Sequence, residues 1–439
     1  MASHMPNIVI VTTHDTGRHF GCYGVPTVHT PTIDALANDG VKFTNMFAAS
    51  SICSPSRGAL LTGQYPQRNG LMGLAGGMWN WSLNNPARHL SQQLKNLGYR
   101  TGLFGVHHET ADLATLGFDH ISQKPQPGDD AGRPSCMAAA EQFAAYAKNR
   151  TAHHQPFYAQ IGFFETHTPY DFAGVTPDRE NGVHIPAHVK VCRDRVPAYL
   201  QKYIDDPHAL DEHLALLQGS VRRVDQAVAR IVDGLKNAGV ENNTLLLFNV
   251  DHGVELPNAK WTLYDPGTEI GFIMRWPEGG VTGGRTCDWL LGNVDFVPTL
   301  LSLIGAPIPP DTDGVSFAQG CVTDCSDQPS PREAVFSLFV NAGLYAARTE
   351  QWKLIRRFSE NSIYQTMRSN PLYAELYDLH ADPLETNNLI DHPAAQQDAK
   401  RMSKLMWDWM QAIDDPILKG NVTQPSHGMS MSHFRAAID

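Results

Sequence analysis

Short apolar runs recur along this chain with amphipathic stretches between them, and that alternation constrains the fold more than any other feature. NIVIVTT (7–13), RTGLFGV (100–106), FYAQIGFFE (157–165), TLLLFNV (244–250) and EIGFIMRWP (269–277) have the length and apolarity of strands. Between them lie TPTIDALANDG closed by Gly40, HLSQQLKNLGY, CMAAAEQFAAYAKN, and a long LDEHLALLQGSVRRVDQAVARIVDGLKNAG closed by Gly239, all with helical periodicity. Helix-then-strand units in series predict an α/β fold, a large mixed, mostly parallel sheet flanked by helices.

After about residue 335 the rhythm changes. VFSLFV, LYAARTE and WKLIRRF are short strands in quick succession, followed by ELYDLHADPLETNNLI and a last helix over about 394–412. The linker TDCSDQPSPRE precedes them. The expected division is a catalytic α/β domain over 5–330 and a smaller α+β subdomain over 331–439. With 439 residues, 42% apolar and 18% charged, there is ample material for such a core.

The net charge of −11 is spread without acidic or basic blocks, so no nucleic-acid partner is expected. No apolar run reaches membrane-spanning length, so no membrane partner is expected either. The opening MASHM resembles an appended tag, which places the native start near Met5; no cleavable signal is visible, and a cytoplasmic location is expected. Seven cysteines (22, 53, 136, 192, 287, 321 and 325) are scattered without zinc-type spacing, and Cys321 and Cys325 could close a local bridge. Sequons at Asn149, Asn242 and Asn421 carry little meaning without a signal. Nothing in the pattern sets an oligomeric state.

Two strands run into acidic and imidazole groups, β-type NIVIVTT into His14-Asp15 and TLLLFNV into Asp251-His252. Ligands of doubly wound sheets bind beyond the carboxyl ends of strands, so the four side chains could surround one divalent ion. Each pair alone would equally suit a turn; two pairs at equivalent places favour a metal. In SSICSPSRGALLTG (50–63) Pro55 fits the first turn of a helix and Gly63 its end. Cys53 then lies at a helix N-terminus, where the dipole favours anions and activated thiols, and Arg57 lies one turn on.

CSPSRGALLTG resembles the sulfatase signature C-x-P-S-R-x-x-x-L-T-G at every specified position. The likeness runs the length of the chain, through PNIVIVTTHD, HTPTIDALANDGVKFTNMFA, VDFVPTLLSLIGAP and ELYDLHADPLETNNL. Within the family, YPQRNGLMGL and ELPNAKWTLYDPGTE look most like the N-sulfoglucosamine sulfohydrolase branch. The resemblance implies the alkaline phosphatase-like fold and hydrolysis of a sulfate ester or sulfamate on a small sulfated sugar. It implies that Cys53 is converted to formylglycine by a formylglycine-generating enzyme and that the hydrate is the nucleophile. It places His14, Asp15, Asp251 and His252 at the metal positions, Arg57 beside the nucleophile, and His108 where the hydrate is hydrogen-bonded. His167 and Lys260 fall where the family binds sulfate and assists the leaving group. Apart from the resemblance, His107 is a candidate contact in the anion pocket, and Trp79 and Trp81 in GGMWNW could stack on a sugar ring or simply pack.

Three positions depart from the family pattern. His14 stands where aspartate is usual, His252 where asparagine is usual, and Val106 where a sulfate-binding lysine is usual. Imidazole ligands shift preference from Ca²⁺ towards Mn²⁺, Zn²⁺ or iron, so the expected cofactor is one divalent ion, Mn²⁺ or Ca²⁺ with Zn²⁺ admissible. His252 and Val106 also resemble the related phosphonate monoester and phosphodiester hydrolases, the rival expectation. A non-catalytic glycan binder would need broken catalytic positions, and Cys53, Arg57, Asp15, Asp251, His167 and Lys260 are all present.

Overall fold

The computed structural model describes residues 5–76, 80–122, 135–150, 155–172, 174–193, 196–326, 328–340, 343–358, 374–420 and 422. Its strands in chain order are β1 (Asn7–Thr13), β2 (Val41–Phe43), β3 (Met46–Phe47), β4 (Arg100–Gly105), β5 (His120–Ile121), β6 (Phe157–Gly162) and β7 (Thr244–Val250). There follow β8 (Phe272–Arg275), β9 (Arg285–Cys287), β10 (Leu291–Gly292), β11 (Val335–Phe339), β12 (Leu344–Arg348), β13 (Trp352–Arg357) and β14 (Ala374–Asp378).

Eight strands form one sheet in the order β5-β4-β6-β1-β7-β8-β2-β9. Only β8 runs against its neighbours, β7 and β2; the other pairings are parallel. Every residue of β1 and β7 is buried, so neither face can meet water and helices must cover both. The helix Pro207–Asn237 does so on one face, with Leu214, Leu217, Val221, Val224, Val228 and Ile231 buried at helical spacing and packed beside the helix Cys136–Arg150. Asp206 caps its start by accepting from His208 N, and Pro207 occupies the first turn, where its missing N–H costs nothing.

The C-terminal strands make a separate antiparallel sheet, β11-β12-β13-β14, covered by the helix Gln396–Ala412. Met402, Met406, Trp409 and Met410 bury against Leu338, Tyr345, Leu354 and Leu376, and the Phe336 and Trp409 rings stack at 4.4 Å. Burial of such side chains stabilises by about 1.5–3 kcal/mol each. This sheet braces the larger one: Leu338 N donates to Ala49 O at 2.9 Å, and Ser337 Oγ to Ala48 O at 2.6 Å. A buried ionic lock adds to it. Asp265 accepts from Lys353 Nζ at 2.7 Å and faces Arg348 Nη2 at 3.1 Å, and Lys353 Nζ also lies 2.9 Å from Glu385 Oε1.

The local bridge that Cys321 and Cys325 could close is not formed. Cys325 pairs with Cys287, with a Cα–Cα distance of 5.5 Å. Cys321 lies in the short helix Ala318–Val322 with its thiol buried against Met274. The sheet edge at β9 brings Cys287 to Cys325, a proximity that sequence spacing cannot register. Among the described residues no helix is long and apolar enough to cross a membrane.

Candidate active site

Four neighbouring parallel strands, β4, β6, β1 and β7, end at one edge of the sheet. The residues that follow them are Val106–Glu109, Phe163–His167, His14-Asp15 and Asp251-His252. β1 and β7 hold register through Thr13 opposite Val250, and Asp251 N donates to Thr13 O at 3.2 Å. The two metal-type pairs therefore leave the sheet side by side. Asp15 turns off at φ +47°, a left-handed conformation that aspartate tolerates better than most residues. Close approach of the other two ends needs glycine: a Cβ on Gly162 would lie 1.9 Å from Val106 O.

The helix Cys53–Thr62 closes the site from above the sheet edge. Ile52 enters it extended, Gly63 ends it in the left-handed region, and all ten of its residues are buried. Cys53 is its first residue, and Sγ lies 3.3 Å from His252 Nε2. One turn on, Arg57 Nε donates to Asp251 Oδ2 at 3.1 Å, while its Nη2 is buried without a hydrogen-bond partner. Ser56 Oγ donates to Asp251 O. Asn293 Nδ2 donates to Ser56 O at 3.0 Å, and Asn293 Oδ1 accepts from Ala49 N at 3.0 Å. The start of the helix is thus pinned on both sides.

Around these groups the charges are tightly coupled. His14 Nδ1 lies 3.0 Å from Asp251 Oδ2; its Nε2 is buried and unpartnered. Burial, reinforced by Arg57, pushes His14 down to about 3 against the pull of Asp251 and Asp15. It is therefore neutral, the form that ligates metals. Burial alone would raise Asp15, but Lys260, His167 and His252 hold it well below the usual carboxylate range. Lys260 Nζ donates to Asp15 Oδ2 at 2.6 Å and to Glu255 Oε2 at 3.2 Å, and lies 3.5 Å from His167 Nε2. His252 Nε2 is 3.1 Å from Asp15 Oδ1; burial opposes its proton, but Asp251, Cys53 and Asp15 hold it well above the ordinary imidazole value.

The thiol itself differs from the sequence expectation. Burial, aided by Asp251, raises Cys53 above its ordinary value despite His252, so the desolvated helix start does not activate it. An unmodified Cys53 is a poor nucleophile here.

His14, Asp15, Cys53 and Asp251 each offer an atom within 4.8 Å of the others, as do His14, Cys53 and His108. One imidazole with an orphaned buried nitrogen and two carboxylates are a donor set that fits a divalent ion. Ligation needs a neutral imidazole, so an ion held by His252 would displace its proton.

The His108 ring meets that of His14 edge-on at 4.7 Å. His107 is buried with Nδ1 3.6 Å from Glu109 Oε2, and burial together with Arg57 lowers it to about 4. His167 stacks on Phe164 at 4.5 Å, with Nδ1 donating to Thr168 O at 2.7 Å. Val106 is buried, paired through N to Gly162 O at 3.0 Å. Trp79 lies outside the described residues. Its companion Trp81 is 7% exposed and packs with Leu71, Met72, Leu83 and Leu116, so it belongs to the core and not to a sugar platform.

Sequence reasoning missed Glu255, Glu109 and Asn293. Glu255 sits five residues before Lys260 in a loop, and only the fold folds it back onto the ammonium. Glu109 is a fully buried acid whose signal was its place directly after the two histidines. Asn293 belongs to a different segment altogether.

Family models cover most of the chain. The family model described as Sulfatase matches residues 6–306, and that described as N-sulphoglucosamine sulphohydrolase, C-terminal, matches residues 258–412. The chain therefore belongs to the sulfatase family of hydrolases. It is 27% identical to an ulvan-active sulfatase of Formosa agariphila, over 96% of this chain and 82% of that protein. It is 28% identical to human N-sulphoglucosamine sulphohydrolase, over 69% of this chain and 61% of that protein. Among solved structures, one in complex with its substrate D-glucosamine-2-N,6-O-disulfate superposes with TM-score 0.72 at 20% identity, covering 94% of this chain and 98% of that one. The phosphonate monoester hydrolase of Agrobacterium radiobacter superposes with TM-score 0.70 at 21% identity, covering 94% and 97%; both likenesses concern the fold.

Proposed function

We propose that this sulfatase hydrolyses a sulfate ester or sulfamate on a small sulfated sugar, with Cys53 matured to formylglycine as the nucleophile and one divalent ion beside it. The observation that carries the reading is the meeting of Cys53 with His14, Asp15 and Asp251 within 4.8 Å at the sheet edge. The sugar class is supported by the relatives' names, ulvan-active sulfatase and N-sulphoglucosamine sulphohydrolase.

His14, Asp15, Asp251 and His252 would hold the ion, which supplies polarisation of sulfate oxygens and a lowered pKa for the attacking hydroxyl. Asp251 anchors Arg57 through Nε, so the unpartnered Nη2 is free to receive a sulfate oxygen. Lys260 adds a second fixed cation between Asp15 and Glu255. His167 is oriented by its Nδ1 bond to Thr168 O, which leaves Nε2, next to Lys260, to pass a proton to the leaving group. His108 handles the proton of residue 53, and His107 faces the anion in place of the missing lysine. Maturation requires a formylglycine-generating enzyme. Residues 5–330 act as the catalytic unit and 331–439 as its brace. The Cys287–Cys325 disulfide favours an oxidising compartment over the cytoplasm expected from sequence.

Turnover of a sulfated glucosamine, an aryl sulfate and a phosphonate ester by one preparation tests the reading. Sulfate substrates are expected to dominate, chelation to abolish activity and Mn²⁺ to restore it, with an aldehyde mass shift on the peptide holding residue 53. Phosphonate turnover greater by orders of magnitude would establish the second reading, which His252 and Val106 favour.

A further inference from the structure

Beside the catalytic edge lies a cavity of about 370 Å³ that shares one side chain with it. That side chain is Glu255. Its Oε2 accepts from Lys260 Nζ at 3.2 Å and from Thr168 Oγ1 at 2.8 Å, while Oε1 accepts from the Tyr199 hydroxyl at 3.5 Å. Thr168 directly follows His167 in the chain. A molecule held in the cavity would thus be separated from Lys260 by a single carboxylate.

The lining suits a particular ligand class. Tyr199 is 48% exposed although its hydroxyl is turned inward, so the ring presents an open face. Tyr203 forms a second wall, packed on His213 at 4.4 Å with Lys202 over its ring at 4.8 Å. Aromatic faces beside carboxylates and hydroxyls bind the apolar face and hydroxyl rim of a pyranose. Of its two carboxylates, Glu212 is paired with Arg179 and Glu255 with Lys260, so neither leaves an uncompensated charge and recognition falls to the open Tyr199 face.

We propose that this tyrosine-walled cavity is a subsite for a pyranose unit linked to the sulfated sugar. The proposal rests on the sulfated-sugar reading above and extends it to the neighbouring residue of the substrate.

Steady-state kcat/KM is measured on 4-nitrophenyl sulfate and on a disaccharide that carries the sulfated sugar linked to glucose. Tyr199→Ala should lower the ratio of glucose-linked to 4-nitrophenyl sulfate turnover by about ten-fold, and Tyr199→Phe should keep it. A proportional fall on every substrate, or an unchanged ratio, overturns the subsite. If the disaccharide is not turned over while 4-nitrophenyl sulfate is, the sugar reading fails, and the cavity is judged by calorimetry with unsulfated cellobiose. Saturable binding lost in Tyr199→Ala then sustains it, and absence of binding overturns it.

Discussion

Two buried charge clusters in this molecule use similar residues to opposite ends. At the sheet edge, His14 Nε2 and Arg57 Nη2 are buried without partners, and a thiol is wedged between an imidazole and two carboxylates. In the lock between the two sheets, Asp265 meets both Lys353 and Arg348, and Lys353 also meets Glu385. The lock's cations and carboxylates face one another. The edge keeps donors and acceptors unspent, which costs stability and leaves them for a ligand. A buried polar cluster thus reads as function when partners are missing and as architecture when they are supplied.

The contrast can be broken most severely at the nucleophile. Cys53→Ala is expected to reduce turnover by about four orders of magnitude or more, with the urea midpoint nearly unmoved; retained activity in kinetic assays would remove Cys53 from the chemistry. Next comes the lock. Lys353→Met removes the cation shared by buried Asp265 and Glu385, leaving Asp265 to Arg348 alone, and should destabilise by about 3–5 kcal/mol, while kcat per folded molecule stays near native. Denaturant titration beside active-site counting checks both halves. His14→Leu should do the reverse, losing about a hundred-fold or more in activity while nearly holding stability, because the desolvated Nε2 that has no partner is removed and offsets the lost Nδ1 contact to Asp251.

A pH titration sharpens the same point away from either cluster. Burial pushes His19 and His89 down to about 3 and His213 to about 4. Unfolded histidines titrate near about 6.5, so below that pH the unfolded chain takes up protons the folded chain refuses. Stability should therefore fall as pH drops from 6.5 towards these values, by about 1.4 kcal/mol per pH unit for each such histidine. His89 also caps the helix Leu90–Asn96 through Nδ1. His89→Asn keeps a cap and should reduce the slope by one histidine's share, read from urea midpoints between pH 6 and pH 5; an unchanged slope would mean that His89 is protonated when folded. At the small end, Lys404 and Asp408 form an exposed pair on the last helix. Lys404→Ala should shift stability by less than about 0.5 kcal/mol, unlike its buried counterpart Lys353.

Much of the fold was legible because local periodicity dictates it. β1, β6 and β7 and the helix Pro207–Asn237 fall where NIVIVTT, FYAQIG, TLLLFNV and the long amphipathic stretch place them. The pairs His14-Asp15 and Asp251-His252 were legible because strand ends are visible in a sequence. That they stand side by side was not, because β1 and β7 are neighbours only through a parallel pairing across more than two hundred residues. The Cys287–Cys325 bridge was missed for the same reason, and Cys321, nearer in sequence, turned out to be buried elsewhere.

The sequence by itself determined the alternation of strands and helices, the nucleophile motif at Cys53–Gly63 and the residue types offered for chemistry, all set by spacing along one segment. Only the tertiary structure decided that the Cys53 thiol is desolvated instead of activated, that Glu255 shares Lys260 with Asp15, and that Trp81 is core. Those outcomes depend on burial and on charges brought together from distant segments, and solvation and Coulomb energy are properties of distance in space.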